Sequence, residues 1–274
     1  MDARLQRRIQ RYGWDLAAGR YEASWQLPLS AAQAAMLEQV RLAPGEAVLD
    51  VACGTGLVTL AAAAAVGPGG RVLGTDISGV MIERARQAAA DAGHGHVGFE
   101  RVDAESLELP EGSFDAALCA LGLMYFPDPE SALRRMARVL RPGGRIGLAV
   151  WGSRRACGWA SLFPIVNAKV QSEVCPLFFR LGEGDALLRA CRDAGFAGLQ
   201  STRIETTLDY DGADEACAAA FEAGPVALAW SRFDGDTRHE VRRAYLASLE
   251  PWRSGSSYCV PGEFVVVTGH RPPA

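Results

Sequence analysis

Lysine is almost missing from this 274-residue chain: Lys169 is the only one among 28 Lys and Arg residues. The formal net charge is −4 and the pI about 5.7, so the chain carries no electrostatic footprint for nucleic acid. Local arginine pairs such as Arg134-Arg135 and Arg242-Arg243 read as solvated helix faces. The arginine and alanine bias points to a GC-rich bacterial genome and says nothing about activity. The seven cysteines (53, 119, 157, 175, 191, 217 and 259) are scattered, odd in number and without a Cys-x-x-Cys pair. That speaks against a disulfide framework or zinc ribbon and suits a reducing cytoplasm. Histidine is scarce, and no two histidines have metal-ligand spacing, so no metal is expected. The longest apolar run, Leu57 to Val66, falls well short of the ~20 residues that span a bilayer. The N-terminal Met1-Asp-Ala-Arg-Leu-Gln-Arg-Arg lacks the apolar core of a secretory signal, and a cytoplasmic location is expected. Internal repeats and low-complexity tracts are also missing.

What is present is a chain 49% hydrophobic, enough for one large domain or a domain with a cap. Its most telling stretch is Val48-Leu-Asp-Val-Ala-Cys-Gly-Thr-Gly56. An apolar run meets Asp50, breaks into a turn with glycines at 54 and 56, and passes into a helix-forming segment, Leu57 to Val66. A strand, a tight turn and a helix start let the backbone approach a nucleoside-type ligand. Glycine permits the turn to take φ > 0. The free N–H groups of the helix start suit a carboxylate or phosphate. A second strand, Arg71 to Asp76, ends in an acid at about the 20-residue spacing where a ribose diol is bound in such folds. Asp76 would repel a 2′-phosphate. The third glycine of the dinucleotide pattern is replaced by Thr59, which, with Asp50 upstream, argues against NAD and FAD. Asp103 follows a β-type run, Val97 to Val102, and so sits at the carboxyl end of a strand, where open α/β sheets bind ligands. The competing reading of Asp103, the weaker of the two, is a loop acid that caps a turn. Asp76 could cap the next helix, although Ser78 fills that role better.

Residues 1–45 read as a helical cap segment with aromatics at Tyr12, Trp14, Tyr21 and Trp25. From 46 to 152 strands near 47–52, 71–76, 97–102, 114–119 and 145–151 alternate with helices near 57–66, 79–92 and 129–140. That alternation implies a parallel sheet with right-handed crossovers. Residues 153–182 crowd aromatics without a clean period and read as core or as a lid on a substrate pocket. A helix at 187–194 stops at Gly195, and a strand alternates over 200–209. Residues 211–250 read as two helices, and Phe264-Val-Val-Val-Thr268 as the last strand.

Five segments in this order resemble the class I S-adenosylmethionine-dependent methyltransferases, on the branch that includes the ubiquinone and menaquinone methyltransferases. They are Val48 to Gly56, Leu73 to Met81, Val102 to Glu105, Ser113 to Asp128 and Leu140 to Ile146. Each is degenerate; the ordered set is specific, and it covers roughly residues 45–152. The resemblance implies an α/β, Rossmann-like sheet of seven mostly parallel strands with helices on both faces and an antiparallel last strand. It implies a methyltransferase domain over 46–274, with a cofactor-binding core at 46–152 and lid or insertion segments about 153–182 and 211–257. It implies S-adenosyl-L-methionine as cofactor and S-adenosyl-L-homocysteine as product. The cofactor residues it points to are Asp50, Ala52, Gly54, Thr55, Gly56, Asp76, Ile77, Met81, Asp103, Ala104, Cys119 and Met124. In that set Asp76 holds the ribose, Asp103 the adenine amino group, and the loop from Ala52 to Gly56 the methionine end. Cys53 and Cys119 read as small packing residues rather than nucleophiles.

A methyl on a sulfonium is already activated, so the protein must align the acceptor and exclude water. A general base is needed only for an acceptor that still carries its proton. Candidate pocket residues are Tyr125, Trp151 and Tyr21, with Met124, Phe163 and Trp25 beside them. For Tyr21 and Tyr125 plain packing is the competing reading. His239 reads as a surface residue, and His94 and His96 lie in a glycine-rich loop away from the site. The motifs of base, arginine and catechol methylation are missing: Phe126-Pro-Asp-Pro129 is not an Asn-Pro-Pro-Tyr segment, and Cys175-Pro176 reverses the Pro-Cys order of cytosine enzymes. The expected partner is a small organic acceptor at O, N, S or C, with no nucleic acid and no membrane span. Monomer and homodimer both stay open. Two other readings stand beside this one: an NAD-dependent oxidoreductase on a similar scaffold, and a non-catalytic S-adenosylmethionine-binding regulatory module.

Overall fold

The computed structural model describes residues 3–170 and 175–273. Two helices open the chain, α1 (Ala3–Ala17) and α2 (Tyr21–Val40). An alternating core follows: β1 (Ala47–Val51), α3 (Leu57–Val66), β2 (Arg71–Asp76), α4 (Gly79–Asp91), β3 (Val97–Arg101), β4 (Phe114–Ala120), α5 (Pro129–Val139) and β5 (Leu140–Trp151). The C-terminal half holds α6 (Leu162–Asn167), α7 (Ala186–Asp193), β6 (Ala197–Tyr210), α8 (Ala213–Phe221), α9 (Ala227–Arg232), α10 (Gly235–Leu249), β7 (Arg253–Ser254) and β8 (Ser257–His270). No helix among the described residues is long and apolar enough to cross a membrane.

The sheet runs β3-β2-β1-β4-β5-β8-β6, with helices on both faces. β1 to β5 pair in parallel, and β8 is antiparallel to both β5 and β6. β1 is central, and all five of its residues are buried, which is why it reads as a continuous apolar run rather than an alternation. The chain winds outward from β1 to β3, then returns to place β4 on the other side of β1. That reversal makes a crevice at the carboxyl ends of β1 and β4, the switch point where open α/β sheets bind ligands.

Local signals start and stop the elements as the sequence leads one to expect. Ser78 caps α4, its Oγ accepting from the Met81 N–H at 3.1 Å. Asp128 caps α5, its Oδ1 accepting from the Ser131 N–H at 2.9 Å, with Pro129 at the first turn. α5 then buries Ala132, Leu133, Met136 and Val139 on one stripe.

The C-terminal half needs correction. Eight strands form where seven are expected. The extra one, β7, has only two residues; it pairs with the start of β8 around Gly255, whose φ is 63°. A two-residue strand has no room to show an alternating pattern. β8 begins at Ser257, earlier than 264, because Tyr258, Val260, Gly262 and Phe264 already alternate inward. β6 extends to both sides of 200–209 and carries an irregularity after Ala197, next to Gly198 at φ 59°. Residues 211–250 form three helices rather than two: Gly224-Pro225 and Phe233-Asp-Gly-Asp each end one, leaving the short α9 between them.

α2 lies across β5, β8 and β6. The contact is close at Gly147: a Cβ there would stand 2.4 Å from Val40 Cγ2 and 3.0 Å from Met36 Cγ. Gly147→Ala is therefore expected to destabilise the fold by about 1–3 kcal/mol through overpacking. Urea unfolding checks this; a variant as stable as the parent would show that α2 shifts freely on the sheet.

Candidate functional site

The loop after β1 is built from three left-handed residues. Ala52 has φ 57°, Gly54 φ 56° and Gly56 φ 93°. Gly56 begins α3, and a Cβ on it would press on Ala85 Cβ at 3.2 Å. Ala52 takes a conformation that costs a non-glycine residue ~1–2 kcal/mol. Across the crevice, after β4, Leu121 does the same at φ 60°. Gly122 follows, and a Cβ on it would overlap Ala52 Cβ at 2.4 Å. Two strained backbones thus flank the switch point, where strain recurs at ligand sites.

Two buried carboxylates organise this end. Asp50 accepts from Thr59 Oγ1 at 2.6 Å, and both side chains are buried. Thr59 thus has a structural use in the place of the missing third glycine. Burial pushes the Asp50 carboxyl up to about 7, against the lowering effect of the Thr59 bond and with a smaller push from Asp76. Asp76, at the tip of β2, accepts from the Gly54 N–H through Oδ2 at 3.0 Å and from the Ser78 N–H through Oδ1 at 2.8 Å. Burial raises it to about 6, opposed by those N–H groups. Asp103 caps the short turn Ala104–Ser106, its Oδ1 accepting from the Glu105 N–H at 3.0 Å. Its Oδ2 is 3.0 Å from Arg7 Nε. Arg7 also pairs with the buried Glu105, which in turn accepts from the Asp128 N–H.

These groups open on one cavity of about 1170 Å³, its mouth included. Ala52, Gly54, Asp76, Ile77, Met81, Asp103, Ala104 and Met124 line it. So do the pocket candidates Tyr21, Tyr125, Trp25 and Trp151. Asp50, Thr55, Gly56, Cys119 and Phe163 are not among the lining residues; Phe163 packs at a tilt on Phe178, ring centres 4.7 Å apart. Burial raises the thiol of Cys119 to about 12, so it stays protonated. His94, His96 and His239 are not among the lining residues.

Sequence reasoning missed the contribution of α1. Arg7, Gln10 and Trp14 line the cavity from one face of that helix, at spacings of three and four residues. Trp14 meets Tyr21 edge-on at 5.8 Å and Tyr125 at 5.1 Å. The i, i+3, i+7 spacing was the available signal; the partners of Arg7, about a hundred positions away, left none. Asp15 fastens the other end of α1, accepting from Ser78 Oγ at 2.6 Å. Trp159, Tyr210 and Tyr245 also line the cavity from elements whose packing no local pattern announces.

Residues 48–144 match the methyltransferase-domain family. Nocamycin O-methyltransferase of Saccharothrix syringae is 29% identical over 95% of this chain and 98% of its own length. The ubiquinone/menaquinone biosynthesis C-methyltransferase UbiE of Hahella chejuensis is 44% identical over 37% of this chain and 41% of its own length. Among solved structures, the YcgJ protein of Bacillus subtilis aligns with a TM-score of 0.64 at 18% identity, covering 89% of this chain and 100% of that one. This last likeness concerns the fold.

The two raised carboxyls set a pH dependence. A buried acid whose folded pKa lies above its unfolded value binds more protons folded than unfolded, so stability falls as pH rises between the two. For Asp50 and Asp76 the window runs from about 4 to about 7. The ligand-free protein is expected to lose stability as pH rises through that window, and Asp50→Asn to flatten the slope. Urea midpoints at pH 4.5, 6 and 8 measure it; identical slopes in parent and variant would remove Asp50 as a source.

Proposed function

We propose that this chain, a class I S-adenosylmethionine-dependent methyltransferase resembling the small-molecule ubiquinone/menaquinone branch, grips its cofactor with the tips of β1, β2 and β3 and takes its acceptor in the aromatic end of the same cavity. The observation that carries the reading is convergence: Gly54, Asp76 and Asp103 come from three strands and border one space. The residues present fit the cofactor. Asp76 offers a buried carboxylate to a ribose diol. Thr55 Oγ1, beside the start of α3, is buried without a partner among the described residues, and the helix start supplies N–H groups for the methionine carboxylate. Asp103, steadied by Arg7, takes the adenine amino group. Asp50 holds the loop from behind through Thr59, and Gly56 and Cys119 give it room.

When bound, S-adenosylmethionine supplies an electrophilic methyl group on a sulfonium. The chain's own part is positional. Tyr21 stands closest to Gly54, with its Cε1 3.9 Å from where a Cβ would lie, and closes the methionine side. Tyr125 and Trp151 border the acceptor space, and the edge-on aromatic cluster of Trp14, Tyr21 and Tyr125 keeps water from it. Residues 1–45 act as a helical cap over the core of 46–152, and 153–182 and 211–257 enclose the acceptor. The part of 153–182 at 171–174 lies outside the described residues. The free cysteines, six of them buried, support a cytoplasmic location, and the acidic balance supports a partner other than nucleic acid.

Asp76 provides the test. Asp76→Ala removes the acceptor for a charge-assisted pair of hydrogen bonds and is expected to weaken S-adenosylhomocysteine binding by about 2–4 kcal/mol. Calorimetry of the parent with S-adenosylhomocysteine and with NADH separates this reading from an oxidoreductase. Unchanged affinity in the variant would take Asp76 out of the site.

A further inference from the structure

The cavity has two chemically different ends. Its charged lining residues are Arg7, Asp76, Asp103 and Glu105, all near the tips of β2 and β3. Arg7 is ion-paired with both Asp103 and Glu105, and Asp76 is held by two backbone N–H groups. The far end is bordered by Trp25, Trp151, Trp159, Leu162, Tyr210 and Tyr245, and no Asp, Glu, His, Lys or Arg among the described residues lines it. Tyr210 and Tyr245 are buried, which pushes their phenols above the ordinary range, and burial does the same to Tyr21 and Tyr125. None of these groups serves as a base at neutral pH.

Trp159 supplies the second observation. Its indole is buried among Trp151 at 4.9 Å, Phe178 at 5.5 Å and Phe179 at 5.7 Å. The other cavity tryptophans on α1 and α2 have partners: Trp25 Nε1 donates to the Ala223 carbonyl at 3.0 Å, and Trp14 Nε1 to Gln10 Oε1 at 3.2 Å. Trp159 Nε1 is buried with no hydrogen-bond partner among the described residues. A buried donor without an acceptor is costly and rare, and an indole N–H only donates.

Resting on the methyltransferase reading above, we infer that the acceptor is an apolar ring compound whose nucleophile is an oxygen acid already ionised at neutral pH, and that Trp159 positions it by donating its indole N–H to an acceptor oxygen. Carboxylates, enolised 1,3-dicarbonyls and electron-poor phenols share this chemistry. An ammonium would find no carboxylate at the aromatic end, and a neutral alcohol would find no base. An ionised oxygen needs neither. Its lone pair forms the O–CH3 bond while the CH3–S bond breaks and leaves its electron pair on sulfur. The negative and positive charges cancel, and no proton moves in the step.

The test uses the intact chain saturated with S-adenosylhomocysteine. Calorimetric titration with apolar ring acids, and with amides and amines on the same skeletons, is expected to show the acids binding at least tenfold tighter. Trp159→Phe keeps a ring and removes the N–H. It is expected to cost about tenfold in acid affinity and nothing in S-adenosylhomocysteine affinity. In turnover, kcat/KM for two phenols of different acidity should rise with each phenol's own ionisation. Amines binding as tightly as acids, no acid binding at all, acid affinity unmoved in Trp159→Phe, or one shared inflection for both phenols would each overturn the inference. Failure of S-adenosylhomocysteine to bind would instead overturn the reading beneath it.

Discussion

The carboxylate of Asp76 is the constraint on which the site depends. It joins the tip of β2 to the loop after β1 through the Gly54 N–H and to the start of α4 through the Ser78 N–H. Both bonds replace water for a buried charge, and without them the desolvation of that carboxylate would go unopposed. The geometry they enforce leaves Gly54 in the left-handed region, with its backbone bare toward the cavity. A group that both braces the loop and faces the ligand space couples folding to binding. Any ligand that donates to this carboxylate also stabilises its ionised form and so offsets the cost of burying that charge.

Asp50 shows the same logic one layer deeper. It lies outside the cavity lining, is more strongly shifted, and is answered by one residue, Thr59, through both its hydroxyl and its backbone. Thr59 occupies the position where a dinucleotide fold would carry glycine for close packing. Its hydroxyl cannot be replaced by hydrogen without removing the side-chain partner of Asp50. The departure from the dinucleotide pattern is therefore an exchange of one packing solution for another, and it is consistent with a site that holds a carboxylate end rather than a pyrophosphate.

The core was legible because its signals are local. β1, the glycine turn and α3 fall within about twenty residues; Gly56 and Gly67 bound α3, Ser78 starts α4 and Asp128 starts α5. The acids at 76 and 103 were legible from their place at strand ends. What stayed hidden is long-range or short. β7 is too brief for a period. α9 exists only because two breakers fall close together. The Arg7–Asp103 pair joins residues whose separation carries no periodic trace. Tyr21 was readable as helix packing or as a cavity wall, and only the docking of α1 through Asp15 and Ser78 brings Trp14 against it.

The aromatic end follows from a different economy of structure. Trp151 ends β5, Trp159 lies in the short turn Gly158–Ser161, and Phe178 and Phe179 come from further along, so no single element determines the space they share. Their mutual edge-on contacts make a rigid wall that gains little from any particular polar ligand. Specificity must then come from the few polar atoms left within it. In such a wall the Trp159 indole N–H, which has no partner among the described residues, is a stronger discriminator than any hydroxyl would be. A hydroxyl both gives and accepts, whereas this donor is satisfied only by an acceptor atom, and best by one that is charged.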